Sequence, residues 1–537
     1  MGKFNKPSAW KPHKKGEPAV TENFEGGQAY KLSPIIRLCT RVLTSLAGER
    51  KFYQNAEDSD SDIIRDIKLA AAEDPEFILQ LAVFARNCFN LRSVPIMLLA
   101  EASHIEQTKP FVARYTPLII KRADELIETV AYIKLKKYDG ERCRIPACLK
   151  KGLGKAFENF DEYQLLKYDP SKGLRMRDII NLCHPKPADI YREALYGFLT
   201  GSLEADPDLT PMIYALKKLR NSNVFDDETE KLAKDAHATH ELIIKKFGST
   251  PRTWEAILPT MGYMAKLRNI YQLLSNRTEE QIRELADEIK NEKNIEKSRQ
   301  LPFNYLAAYK SLKLRIATEN ETKINMVLDA LKEALVHSVK NIEPISGATL
   351  IAIDVSGSMI TPLSRGSSIT YKDTAILLGV IGKRIFQSAD VYIFAETVEK
   401  VKPTGADILK HYEMLLEKDV GAATNAYKII YGITERKEKY DRIILLSDMQ
   451  CYDSNNRDKN SVAEHFEKYR KDVNPDVVLY SIDLTGYGTS QIKETDPRQV
   501  LMSGWSDKIF HLINLNEMIR TELPEHIKTW TRTLQIK

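Results

Sequence analysis

The chain has 537 residues, 43% of them hydrophobic and 28% charged, and a formal net charge of +5. That length exceeds one hydrophobic core and suits roughly two to four domains, and the composition excludes a disordered chain. No apolar stretch approaches the roughly 18 residues of a membrane span, no apolar run follows the first charges as a secretory signal requires, and the six cysteines are too scattered for a disulfide framework. The expectation is a soluble cytoplasmic protein with no membrane partner.

Residues 1–25 read as a basic arm: Lys3, Lys6, Lys11, Lys14 and Lys15 stand near Glu17 alone within the first 20 positions. From 26 to 340 the pattern is helical. In KLSPIIRLCTRVLTSLAG, Ser33 is placed as a cap, Pro34 at the first helical position and Gly48 at the stop. Asp74-Pro75 opens EFILQLAVFARN in the same way, and Ile324, Val327, Leu328, Leu331, Leu335 and Val339 recur at the spacing of one buried helix face. Helices of about 12–18 residues joined by short turns predict a HEAT-like solenoid of about seven antiparallel pairs, or else an irregular all-helical globule.

Charge is nearly balanced over residues 1–350, with 54 Lys+Arg and 48 Asp+Glu, but it clusters. Lys134, Lys136, Lys137, Arg142, Arg144, Lys150, Lys151 and Lys155 meet only Asp139 and Glu141. A second run from Lys167 to Lys186 adds Lys172, Arg175, Arg177 and His184. Cations concentrated beside few carboxylates suit a polyphosphate ligand, although any one run is most simply a solvated face. The near-balance means that duplex binding over a wide face needs tight local clustering.

A turn-rich linker, 341–347, precedes a change of character. Strands are predicted at 348–354, 390–395, 442–448, 477–483 and 508–513, with helices around 372–387 and 424–435. Short apolar runs alternating with helices predict a doubly wound, Rossmann-like α/β domain over 348–537.

The first of these strands ends in Asp354-Val355-Ser356-Gly357-Ser358, the loop Gly421–Asn425 contributes Thr424, and the strand at 442–448 ends in Asp448. Ligands of doubly wound sheets bind beyond the carboxyl ends of the strands. Asp354, Ser356, Ser358, Thr424 and Asp448 therefore offer hard oxygen donors at one sheet edge, suited to Mg²⁺ first and to Mn²⁺ or Ca²⁺ as alternatives. The plainer reading is that Asp354 and Ser358 cap a helix. Neutral hydroxyls leave such an ion with residual positive charge and an open position for a partner's acidic group. No general base for hydrolysis is evident, so the chain is expected not to be an enzyme.

These five residues in this order resemble the metal-ion-dependent adhesion site of a von Willebrand factor A domain. The phrases LAGERKFYQ (46–54), DPEFILQLAVFARN (74–87), LRSVPIMLLA (91–100), LRMRDIINLCHPKP (174–187), MGYMAKLRNI (261–270) and LPFNYLAAYK (301–310) resemble the TROVE module of the Ro autoantigen proteins. The domain order resembles that family too. The resemblance implies a closed ring of helical repeats with a central hole, in a monomer. It also implies a small ribonucleoprotein that binds Y-like noncoding RNA and the single-stranded 3′ ends of misfolded RNAs in RNA quality control or processing, sometimes beside an exoribonuclease. Lys172, Arg175, Arg177, His184 and Lys186 align with the family's RNA-contacting region, with Asp178 placed to hold Arg175 at i, i+3. Lys134, Lys136, Lys137, Arg142 and Arg144 form a further candidate patch. A divalent-metal-dependent protein-adhesion scaffold is the alternative function.

Three other features are read as structural. Cys143, Cys148 and Cys183 are spaced too loosely for zinc. His237 and His240 lack the glutamate of a metalloprotease helix. Trp254 and Trp505 are expected to be core anchors.

Overall fold

The computed structural model describes residues 20–23, 27–44, 56–135, 137–138, 141–142, 144–170, 172–274, 277–298, 300, 302–315, 321–340, 344–363, 367–402, 407–454, 461–493, 496, 498–504, 508–519 and 523–535. The basic residues of the expected arm, from Lys3 to Lys15, lie outside them, as do Lys136, Cys143 and Trp505. The described chain forms two compact units. One takes residues 56–340 and the end of the last helix from Ile527; the other takes 20–44 and 344–526.

The first unit is helical, and its helices follow the apolar spacing. Glu321–Ser338 buries Ile324, Val327, Leu328, Leu331 and Leu335. It packs against Glu279–Lys290, which buries Ile282, Leu285, Ala286 and Ile289 on the matching stripe. The first backbone amides of Glu279–Lys290 are capped by Thr278, whose hydroxyl accepts from the Gln281 N–H at 3.3 Å. Lys109–Ile119 and Ala147–Ala156 approach closely: a Cβ at Gly152 would stand 2.7 Å from the Thr116 Cβ, so only glycine fits there. The Leu523–Gln535 helix contributes its final turns to this unit. Trp530 meets Phe84 edge-on at 5.3 Å, and Lys528 pairs with Asp74 at 2.9 Å. This departs from the sequence boundaries, which assign everything after 348 to the second domain.

The second unit is built on six strands: β1 (Ile345–Asp354), β2 (Phe386–Phe394), β3 (Val398–Val401), β4 (Arg442–Ser447), β5 (Val478–Asp483) and β6 (Gln499–Ser503). Their order is β6-β5-β4-β1-β2-β3, all parallel except β3, which runs antiparallel to β2 at one edge. The sheet switches direction between β1 and β4, where Ile353 pairs with Leu446, so the site expected at the carboxyl ends falls at that switch. The Tyr371–Ile385 helix lies close on β1 through Gly379, whose missing Cβ leaves room for the Ile353 side chain. Gly379→Ala is expected to destabilise this unit by about 1–3 kcal/mol through overpacking, read as a lower Tm by calorimetry.

Two features of this unit differ from the sequence reading. Residues 508–513, read as a strand, begin the Lys508–Ile519 helix, and β6 at Gln499–Ser503 completes the sheet instead. Buried Ile509, Phe510, Leu512 and Ile513 fit a helix face as well as a strand, and so short an apolar run does not distinguish them. At the other end, residues 20–44 join the α/β unit and do not open the helical one. Val20–Glu22 and Gln28–Lys31 pair with Thr489–Ser490 in a small antiparallel sheet. The Asn23 side-chain amide donates to the Cys451 carbonyl at 2.8 Å, and the Pro34–Thr44 helix buries Leu38, Cys39, Val42 and Leu43.

Candidate metal centre and nucleic-acid interface

At the carboxyl end of β1 the chain turns sharply. The Asp354 carboxylate accepts from the Ser356 N–H at 2.9 Å on Oδ1 and from the Ser447 hydroxyl at 2.6 Å on Oδ2. The Ser356 and Ser358 hydroxyls lie 3.4 Å apart. Backbone bonds tie the second and third elements to this turn. The Gly357 N–H donates to the Ala422 carbonyl at 3.2 Å, and the Tyr452 N–H to the Thr424 carbonyl at 3.0 Å. Asp354, Ser356, Ser358, Thr424 and Asp448 are all buried. The structure therefore gathers the three segments that carry them at one strand switch.

Asp448 follows β4. Its Oδ1 accepts from the Gln450 N–H at 3.1 Å, while its Oδ2 is buried and accepts no hydrogen bond from the described residues. Burial raises the affinity of both aspartates for a proton. For Asp448 the nearby Asp354 charge pushes further in that direction, against the Ser358 hydroxyl; for Asp354 the Ser356 and Ser447 bonds oppose it. Two buried carboxylates and an orphaned oxygen repel one another unless a proton or a cation lies between them. The Ser356 and Ser358 hydroxyls beside them, with buried Thr424 on the adjoining loop, offer further hard oxygen donors, a set that fits Mg²⁺, Mn²⁺ or Ca²⁺ and not a thiophilic ion. Among the described residues no three His, Cys, Asp or Glu side chains come together as a metal cluster, so hydroxyls would have to supply the remaining ligands.

Sequence reasoning missed the groups around this set. Ser447 holds Asp354, and Asp483 at the end of β5 adds negative charge near Asp448 while accepting from the Thr485 and Gly486 N–H groups at 2.9 and 2.7 Å. The signal for Asp483 was present, since VVLYSID ends in aspartate as ATLIAID and RIILLSD do.

The candidate RNA residues lie in the helical unit, many of them around the Met176–Cys183 helix. That helix buries Met176, Ile179 and Ile180, leaving Arg177, Asn181 and His184 exposed at i, i+4 and i+7. His184 closes the helix at φ 46°, in the left-handed region, and its N–H donates to the Ile180 carbonyl at 2.8 Å. Lys172 and Lys186, at either end, are exposed too. Arg177 has only a loose ion pair with Asp178, at 3.7 Å.

Arg175 differs from its neighbours. Its guanidinium bonds the Asp169 carboxylate at 2.5 Å, and the same carboxylate accepts from the Met176 N–H at 2.8 Å. Asp178, expected to hold the Arg175 side chain, instead accepts from its backbone N–H at 2.8 Å, as an N3 residue facing the helix start. Arg175 is thus a positioning residue that fixes the helix entry, and its charge is already answered.

The Ala147–Ala156 helix packs alongside: a Cβ at Gly154 would lie 3.3 Å from the Cys183 carbonyl oxygen. It carries exposed Lys151 and Lys155, and the Lys150 charge acts on Cys183, whose thiol burial pushes up to about 12. Lys150, Lys151 and Lys155 therefore belong with the basic surface, although the site assignment from sequence left them out. Of the second patch, Lys134 and Arg144 are exposed, while Lys137 and Arg142 sit on the two-stranded pairing of Lys137–Tyr138 with Glu141–Arg142. Lys136 lies outside the described residues.

Comparison with known proteins finds two family models in the chain, whose matches overlap between 348 and 423. The TROVE domain model matches residues 37–237 and 230–423, and the Ro60 vWA domain model matches 348–515. Telomerase protein component 1 of Mus musculus is 24% identical over 335 residues, covering 51% of this chain and 12% of that protein; its Rattus norvegicus counterpart is 26% identical over 339 residues, covering 53% and 13%. The chain thus spans only a small part of the length of these curated relatives. The crystal structure of the Deinococcus radiodurans Ro (RSR) protein matches with a TM-score of 0.64 at 16% identity, covering 91% of this chain and 100% of that one, which shows a shared fold.

Proposed function

The chain belongs to the Ro family of TROVE-domain proteins carrying a Ro60-type vWA domain, and from that premise we propose that it binds RNA through its helical unit. The observation that carries this reading is the exposed row Arg177, Asn181 and His184 with Lys172 and Lys186 at its ends, beside Lys151 and Lys155. Cations with one amide and one imidazole suit phosphates and unstacked bases of single strands. The RNA is a small noncoding, Y-like species or the unpaired 3′ end of a misfolded transcript, and the role is RNA quality control or processing in the cytoplasm, with an exoribonuclease as a candidate partner.

Filter binding with labelled RNAs tests this. A hairpin with an unpaired 3′ tail should bind with a steep salt dependence and outcompete the same hairpin without a tail. Equal affinity for both, or affinity insensitive to salt, overturns the reading.

In the α/β unit, Asp354, Ser356, Ser358, Thr424 and Asp448 hold a divalent cation, Mg²⁺ before Mn²⁺ or Ca²⁺. Held by these residues, such an ion would balance the paired carboxylates and would supply a Lewis-acidic position for a carboxylate of a partner protein. The orphaned Asp448 Oδ2 favours this second, compatible reading as a metal-dependent adhesion scaffold. The chain works as a monomer that binds and does not turn over substrate.

A further inference from the structure

A second recognition site lies elsewhere in the helical unit. The Pro251–Ile257 helix and the segments around Gln272 and Arg277 enclose a cleft of about 160 Å³, lined by Ser249, Thr250, Trp254, Glu255, Gln272 and Arg277. A cavity of about 150 Å³ takes a benzene-sized ring, so this one has room for a single flat heterocycle. Trp254, expected from sequence to be a core anchor, is only partly buried. Its indole N–H donates to the Ser249 hydroxyl at 2.9 Å, which fixes the ring as a wall of the cleft.

Arg277 lines the same cleft. It is 8% exposed, yet its Nη2 is buried with no hydrogen-bond partner among the described residues. Its backbone carbonyl is held by the Lys323 ammonium at 2.5 Å, so the residue is anchored while one arm of the fork is left without an acceptor. Burial disfavours its charged form, and among the described residues the compensating charge is that of Glu255, which makes no ion pair with it within 4.0 Å. A buried guanidinium with an idle donor is costly unless a ligand supplies acceptors. The exposed Glu255 carboxylate in the same lining supplies acceptors of its own. Thr250 is engaged locally, accepting from the Thr253 N–H at 3.2 Å.

We propose that this cleft holds one unpaired guanine base. Guanine alone among the bases presents two acceptors, O6 and N7, on one edge for an arginine fork, and an N1–H with an amino group on the other for a carboxylate. Its face stacks on tryptophan. Adenine turns an amino donor towards the guanidinium, and no pyrimidine pairs two acceptors on one edge with two donors on another. The base belongs to an RNA strand, and in that respect the inference rests on the RNA reading above; recognition of the base itself does not.

Calorimetric titration of the full chain with GMP, IMP, AMP, UMP and inorganic phosphate tests the assignment. GMP should bind roughly tenfold or more tighter than AMP and UMP, and IMP, lacking the 2-amino group, should fall between. GMP should quench tryptophan fluorescence in the wild type and not in Trp254→Phe. Arg277→Lys, which keeps charge but loses the fork, and Glu255→Gln, on the exposed side of the cleft, should each weaken GMP about tenfold. Lys172→Ala with Arg177→Ala should leave GMP binding unchanged. Equal affinity for all nucleotides, displacement of GMP by phosphate alone, or indifference to both cleft variants overturns the proposal. RNA binding on the cationic surface without GMP binding removes this inference alone; GMP binding without RNA binding removes the RNA reading and leaves this one standing.

Discussion

Mg²⁺ added to metal-stripped protein is expected to raise the Tm of the α/β unit, and to raise it more near pH 8 than near pH 5. The sign follows from Asp354 and Asp448, whose folded proton affinities are raised by burial, that of Asp448 further by the Asp354 charge. A carboxyl group bound more tightly to its proton in the folded state contributes stability that is fully present below its unfolded pKa of about 3.9 and is lost as pH rises through the higher folded value. Metal-free protein should therefore weaken as pH climbs, while a cation that binds only the ionised pair recovers that loss. At a concentration of about 100 Kd the recovery is about 2.7 kcal/mol. Asp448→Asn sharpens the test, because it keeps the shape and removes one of two neighbouring buried charges. It should leave the metal-free protein as stable or about 1–3 kcal/mol more stable, and abolish the response to Mg²⁺, Mn²⁺ and Ca²⁺. A Tm gain that survives the substitution, or that shrinks as pH rises, counts against the centre.

Why these ligands could be read from sequence and others could not has a physical basis. Asp354, Ser356 and Ser358 lie at alternate positions of one five-residue turn, and Thr424 and Asp448 each sit beside an apolar run whose strand or helix character is plain, so the sheet edge follows from pattern alone. Asp483 ends a similar run, but its influence on Asp448 depends on β5 lying next to β4, which is a matter of strand order. The helix at Lys508–Ile519 was misread because an apolar hexamer carries no period long enough to separate 2.0 from 3.6 residues per repeat. The place of residues 20–44 was hidden for a different reason: the Pro34–Thr44 helix is amphipathic in itself, and nothing local says which core its buried face joins. Trp254 shows the same limit from the other side. Composition favours burial for tryptophan, and only the position of Arg277 far along the chain makes it a cleft wall.

Two arginines separated by one residue should behave in opposite ways, and that contrast tests the basic surface most directly. Arg177→Ala combined with Lys172→Ala is expected to weaken binding of tailed RNA about tenfold or more at about 0.1 M salt, and to flatten the salt dependence by about one unit of slope per cation removed, with Tm unchanged. Both side chains are exposed, and neither holds the helix in place. Arg175→Ala should cost stability first. Its guanidinium bonds Asp169, whose other oxygen fixes the Met176 N–H, so removal leaves a largely buried carboxylate with one partner fewer. Because the guanidinium is itself about a third exposed, the cost is only about 1 kcal/mol. Any loss of RNA affinity should then follow the loosened helix entry, leaving the salt slope near the wild-type value, since no phosphate contact has been removed. Were Arg175→Ala to flatten the slope while Arg177→Ala left it intact, the solvent face of Met176–Cys183 would not be the surface that meets the strand.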